Sequence, residues 1–392
     1  MSNADFYAEY TLNTEPLDAN GFNPYYQVIE SGLEDSVYIN GKSFIDLASN
    51  NYLGLACDPY VKQAMKEAVD RYGASMCGTP VATGYAALFK NTEERLSSFI
   101  GLEDVIILPS CYQANNGLFS AVTGNNDIVI VDHYAHSSLL QGINATGARM
   151  KPFIHNDMNS LERILKKSGR YTRRFVVTES VFSTEGAIAP FDEISSLCRI
   201  YNAIPVIDDS HGIGVLGRRG RGILEEKHIK NFNGIYTASL GKALANAGGI
   251  IAGRKSLIDY LRYYCSHLVY STALPPAVLA GVKAVIDIIN EKFGILSARM
   301  WRYKNMLTNC LLSNHFNLTG GEAPITSVIG GSTEETLLLA RLFFEHRILC
   351  TPFVEPSVPR GKGTLRFIAG ANLSERAVCS AIERISSLNV RI

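Results

Sequence analysis

Short apolar, β-rich runs recur along the chain at 104–108, 127–131, 174–178, 204–208, 235–238 and 250–252. Amphipathic stretches of helical period, such as 160–167 and 191–201, separate most of them. Strands without a polar face, alternating with helices, predict a mainly parallel sheet covered on both sides. After Pro275-Pro276 the rhythm changes to a long helix from 277 to about 312, short strands at 325–329 and 364–368, and helices at 333–346 and 374–388. That pattern predicts a smaller α+β unit. The start of the chain is less regular, apart from a hairpin expected over 37–45 that turns at Asn40-Gly41. The expected organisation is an N-terminal segment over 1–47, a large domain over 48–276 and a small C-terminal domain over 277–392.

A chain of 392 residues is long enough for two such cores. Lys plus Arg and Asp plus Glu both number 37, so no net field draws it to nucleic acid or to an anionic membrane. Substrate charge must then be met by single, placed residues. The eight cysteines are scattered without a C-x-x-C pair or metal-ligand spacing, which predicts reduced thiols and no metal site. The first ten residues are polar and acidic rather than basic then apolar, and no apolar run approaches the ~20 residues of a membrane span. A soluble, cytoplasmic protein is expected.

Candidate chemistry gathers at strand ends. The 204–208 strand finishes in Asp208-Asp209-Ser210-His211, at the carboxyl edge where open α/β sheets bind ligands. A carboxylate there can keep a pyridine nitrogen protonated, and Asp208 is the expected one, with Asp209 pointing elsewhere. Alone, these residues also fit an ordinary acidic strand end capping the next turn. The 235–238 strand leads into Ser239-Leu240-Gly241-Lys242. A lone lysine after glycine is commonly a solvated surface residue. Downstream of the Asp-x-x-His element, however, Lys242 has what a pyridoxal phosphate (PLP) enzyme needs to hold its cofactor as a Schiff base. Ser110-Cys111-Tyr112 follows the 104–108 strand and opens a helix whose N-terminus is a ready phosphate site, and His136 could stack on a flat cofactor. Residues 212–217 match G-x-G-x-x-G formally, but Arg218-Arg219-Gly220 follows them rather than an apolar helix, which argues against a dinucleotide site.

Taken together and in order, seven motifs resemble the α-oxoamine synthase family of PLP enzymes, on the fold-type I aminotransferase scaffold. They are Ser49-Asn50-Asn51-Tyr52-Leu53-Gly54-Leu55, Ser110-Cys111-Tyr112, His155-Asn156-Asp157, the run from Glu179 to Gly186, Asp208 to His211, Ser239 to Lys242, and Tyr270 to Pro276. The resemblance implies a fold-type I PLP-dependent transferase with a large mainly parallel-sheet domain and a smaller α+β C-terminal domain. It implies that Lys242 carries PLP, that Asp208 pairs with the pyridinium nitrogen, and that His211 and Ser183 lie near the phenolic oxygen. His136 is implied to stack on the ring and touch substrate. Cys111, Tyr112 and Ser239 resemble the phosphate cradle, with Ser271 and Thr272 coming from the partner subunit of a homodimer. Asn50 and Arg366 resemble the groups that place the amino-acid substrate, Arg366 as a fork for its carboxylate. The implied reaction removes the Cα proton of an amino acid and joins that carbon to an acyl thioester. Thiol and carbon dioxide leave, and an α-aminoketone remains, with His136 or His211 as the proton donor.

Three elements depart from the family pattern: Gly78-Thr79-Pro80 in place of an arginine-bearing element, Phe89 to Glu93 without its histidine, and Ala371-Asn372-Leu373 in place of Ala-Ala-His. All three are expected near the substrate entrance or the subunit interface, where they would alter the acyl donor or amino acid while the chemistry persists. The competing readings are an aminotransferase or other fold-type I enzyme that uses no thioester, and a non-catalytic subunit. The second would be expected to lack Lys242.

Overall fold

The computed structural model describes residues 3–10 and 21–388; the remaining positions, including part of the segment expected over 1–47, lie outside the described residues. In chain order the described strands are β1 (Ser36–Ile39), β2 (Lys42–Asp46), β3 (Asp104–Leu108), β4 (Ile128–Asp132), β5 (Arg149–Phe153), β6 (Arg174–Glu179), β7 (Ile204–Asp208), β8 (Ile235–Ser239), β9 (Gly249–Gly253), β10 (Thr326–Gly331), β11 (Ile348–Leu349), β12 (Thr351–Phe353) and β13 (Gly363–Phe367). Seven of them form one sheet in the order β3-β9-β8-β7-β6-β4-β5. Only β9 runs against its neighbours, because the short β8–β9 connection reverses the chain without a crossover helix.

Successive residues of these strands feed two different cores. Val105, Ile107, Ile130, Val176 and Ile207 pack on one face, while Ile106, Leu108, Val129, Val177 and Val206 pack on the other. Each such side chain contributes about 1.5–3 kcal/mol on burial, so helices must cover both faces. This is why the strands read as continuous apolar runs. β5 differs: it is the sheet edge, its residues are largely exposed, and it carries Pro152.

Helix Pro276–Ser313 joins the two cores. Its first half, including Leu279, Val285 and Phe293, packs in the large core, and its second half, including Tyr303, Leu307 and Leu311, packs in the smaller one. The smaller unit contains the antiparallel sheet β10-β13-β12. The β1–β2 hairpin turns at Asn40-Gly41, both with positive φ, and β2 pairs with β11, so this early segment packs with the C-terminal region.

Parallel register decides where the chemistry falls. Glu179 at the end of β6, Asp208 at the end of β7 and Thr237 on β8 lie directly beside one another. In-register residues of neighbouring strands share a face, so three polar side chains line the same edge of an otherwise apolar sheet.

Candidate active site

Asp208 is buried at 4% exposure, and its two oxygens are held by different elements. Asn115 Nδ2 donates to Oδ2 at 2.8 Å and the Ser210 backbone N–H donates to Oδ1 at 3.0 Å. Asp209 turns to the other side, where its Oδ2 accepts from Tyr236 at 2.8 Å and from the Ile223 N–H at 3.0 Å. Burial pushes the Asp209 carboxyl up to about 7. The two adjacent acids thus separate, one to the sheet edge and one to the loop that follows.

Lys242 sits on the β8–β9 turn, which is closed by Leu240 N–H to Gly248 O at 2.9 Å and by Asn246 N–H to Leu240 O at 3.0 Å. Leu240, Ala243 and Leu244 are buried and anchor this turn, leaving Lys242 half-buried between them. Its ammonium lies close enough to His136, His211, Glu179 and Cys111 to bias the titration of all four.

His211 is buried, and its Nδ1 lies 2.8 Å from the Tyr52 hydroxyl. Burial, reinforced by Lys242, Arg366 and His136, holds its pKa well below the ordinary imidazole value, so the ring is neutral. His136 opens helix Ser137–Asn144 with a face exposed to solvent. Its backbone N–H donates to Glu179 Oε1 at 2.6 Å, and burial lowers the pKa of its ring. Glu179 itself is pushed well above the usual carboxylate range by burial and then by Asp208 beside it.

Helix Cys111–Val122 starts beside Asp208, capped by Ser110 Oγ, which accepts from Gln113 N–H at 3.1 Å. Gly249 lets β9 approach this helix start: a Cβ there would sit 2.3 Å from the backbone N and Cα of Cys111. Cys111 Sγ lies 3.9 Å from Asp208 Oδ2 and accepts from Ser210 Oγ at 3.3 Å, and burial pushes its thiol up. Tyr112 is exposed, while Ser239 Oγ accepts from the Gly241 N–H at 3.1 Å. Ser271 Oγ accepts from Gln113 Nε2 of the same chain at 3.4 Å, and Thr272 is exposed.

The small unit supplies a cation. Arg366, on β13, is buried at 6% exposure and lies 4.8 Å from the Phe353 ring centroid. Its Nη1 donates to the Ser183 carbonyl at 3.2 Å, but its Nε is buried without a partner. Asn50 Oδ1 is likewise buried and unpartnered. Unpaired polar atoms of this kind are costly to bury, and together with the neutral histidine, the carboxylate and the lysine they mark a ligand site.

Over residues 42–385 the chain matches the Aminotransferase class I and II family. It is 34% identical over 359 residues to the protein named 8-amino-7-oxononanoate synthase 1 of Bacillus velezensis, covering 92% of each chain. To the 8-amino-7-oxononanoate synthase of Geotalea daltonii it is 33% identical over 384 residues, covering 96% of this chain and 97% of that one. Among solved structures, the serine palmitoyltransferase of Sphingomonas wittichii superposes with a TM-score of 0.91 at 28% identity, covering 98% of this chain and 96% of that one. The chain belongs to the α-oxoamine synthases.

This α-oxoamine synthase has the fold-type I architecture and uses PLP. It joins an amino acid to an acyl thioester with loss of carbon dioxide. The residues present fit the cofactor: a buried carboxylate at a strand end, a lysine on the neighbouring turn, and a helix N-terminus beside both. Residues 212–217 lie in turns, and the next helix starts only at Ile223, so no dinucleotide-type helix opens there.

Three further residues belong to the site that the sequence reading had not singled out. Tyr52, Asn115 and Glu179 each lie inside or beside a motif already recognised, and each touches one of the expected groups. Of the departure over 89–93, Phe89, Thr92 and Glu93 are buried and Lys90 and Asn91 are exposed, with the Phe89 ring packed in the large core 5.5 Å from that of Tyr85. No described helix is long and apolar enough to cross a membrane, and the described residues hold no cluster suited to a metal ion.

Proposed function

We propose that the synthase condenses a small amino acid with an acyl thioester through Lys242, Asp208, His136, His211, Asn50 and Arg366. The observation that carries this reading is that the buried Asp208 carboxylate and the Lys242 ammonium both act on His136, while Lys242 and the buried Arg366 guanidinium, whose Nε has no partner, both act on His211. Bound there, PLP supplies an electron sink for the pair left on Cα.

Lys242 would hold the cofactor, and its Nζ moves the Cα proton of the amino acid. Asp208 would hold the proton of the cofactor's ring nitrogen. Cys111, Tyr112 and Ser239, with the start of helix Cys111–Val122, hold the phosphate. His211 and Ser183 would hold the cofactor's phenolic oxygen. Arg366 binds the substrate carboxylate and Asn50 accepts from its amino group, so the Cα–H bond is presented to Lys242.

A homodimer completes the site in this reading, with Ser271 and Thr272 reaching the neighbouring subunit. Exposed Val81, Tyr85, Tyr112 and Tyr270 support it, because helix Ser266–Val269 packs against both the Pro80–Gly84 turn and helix Cys111–Val122.

The test pairs glycine, alanine and serine with short and long acyl thioesters. One amino acid should release carbon dioxide and free thiol in equal amounts. Formation of an oxo acid without thiol release would establish aminotransferase chemistry instead.

A further inference from the structure

Asp208 and His136 are connected by a buried chain of hydrogen bonds that runs through two residues without an assigned role. Asn115 and Ser138 are 0% and 1% exposed. Asn115 Nδ2 donates one proton to Asp208 Oδ2 at 2.8 Å and the other to Ser138 Oγ at 2.9 Å. Its Oδ1 accepts from Thr237 Oγ1 at 2.8 Å, which fixes the amide, since a flipped amide would aim its oxygen at the Asp208 carboxylate. Ser138 Oγ, already an acceptor, lies 2.8 Å from His136 Nδ1. The Ser138 backbone N–H points at the same nitrogen from 3.2 Å.

Each link forces the next. An amide NH₂ cannot accept, and the Ser138 backbone N–H already makes His136 Nδ1 an acceptor, so the Ser138 hydroxyl proton goes to that nitrogen. That nitrogen then faces two donors and carries no proton, which leaves the ring proton on Nε2.

We propose that Asn115 and Ser138 are positioning residues that lock His136 as the neutral Nε2–H tautomer, so that His136 enters the reaction as a proton or hydrogen-bond donor and not as a base. The inference rests on the reading of His136 as a group facing the cofactor and substrate. It selects a role for His136 that composition and motif order leave open. Charged and titratable groups around the ring are Asp208 on β7, Glu179 on β6, Lys242 on the β8–β9 turn and His211 after β7. Asp208 favours the imidazolium while Lys242 and burial oppose it, with burial the larger effect.

The test is ¹⁵N NMR of the histidine-labelled full-length apoprotein, with the His136 signals assigned by their loss in His136→Gln. In wild type at neutral pH, Nδ1 should show the shift of an unprotonated ring nitrogen and Nε2 that of a protonated one. In Ser138→Ala the two tautomers should mix, and the pH at which His136 titrates should rise by roughly half to one unit. Ser138→Thr, which keeps the hydroxyl, should restore the wild-type pattern. A proton on Nδ1 in wild type, or a tautomer unmoved by Ser138→Ala, overturns the proposal. Because the tautomer is read without cofactor or substrate, it stands or falls separately from the condensation reading, which fails instead if wild type forms an oxo acid without releasing thiol.

Discussion

Replacing Arg366 with methionine should separate stability from substrate binding. The guanidinium is 6% exposed, with one hydrogen bond to the Ser183 carbonyl and a buried, unpartnered Nε. Burial lowers its pKa, a sign that the folded chain bears a desolvation cost for this cation. Methionine is of similar length and can pack on the Phe353 ring that the guanidinium covers at 4.8 Å. Removing the cation should therefore cost no more than ~1 kcal/mol of unfolding free energy, the worth of the lost carbonyl bond, and can raise stability by relieving the desolvation. Amino-acid binding should behave oppositely. A forked carboxylate makes two charge-assisted bonds at ~1.5–3 kcal/mol each, so affinity should fall by about 10²- to 10⁴-fold. Amino-acid affinity is read by equilibrium dialysis against the holoenzyme, and stability by urea unfolding. Arg366→Lys, which keeps charge but loses the fork, should fall between the two. Amino-acid affinity within about threefold of wild type in Arg366→Met would refute the assignment of this residue to the substrate.

Tyr52→Phe removes the 2.8 Å partner of the buried His211 Nδ1 and should cost ~1–3 kcal/mol, seen as a lower urea midpoint. Gly249→Ala places a methyl 2.3 Å from the Cys111 backbone, so a loss of ~1–3 kcal/mol should accompany weaker PLP binding, measured by titration of the apoprotein. Glu93 is buried and accepts from Tyr85, Arg262 and the Ile107 N–H, yet burial pushes its carboxyl from 4.5 up to about 7. Because the folded state then binds the extra proton, stability should fall as pH rises from about 4.5 to about 7, by up to ~3 kcal/mol, and level off above. Glu93→Gln should flatten that part of the curve, read as urea midpoint against pH.

Much of the large sheet was legible because its strands are buried on both faces and leave a continuous apolar signature. β5 left none: as an edge strand with exposed Arg149, Lys151 and Pro152 it has the composition of a loop, and only pairing with β4 makes it a strand. Asp208 and Lys242 could be found because each closes or follows an apolar strand. Asn115 could not be singled out by pattern, since a buried asparagine on a helix looks like any other polar helical residue. Its role depends on β7 and β8 bringing Asp208 and Thr237 side by side, a product of sheet register across distant stretches of the chain.

The placement of the cofactor on Lys242 is open to one direct measurement. The holoenzyme is reduced with borohydride, which converts an imine to a stable amine, and is then digested and its peptides weighed and fragmented. A pyridoxyl phosphate group on Lys242, absent from Lys242→Ala, is the predicted result. Modification of a different lysine, or of none in protein saturated with PLP, would contradict the account.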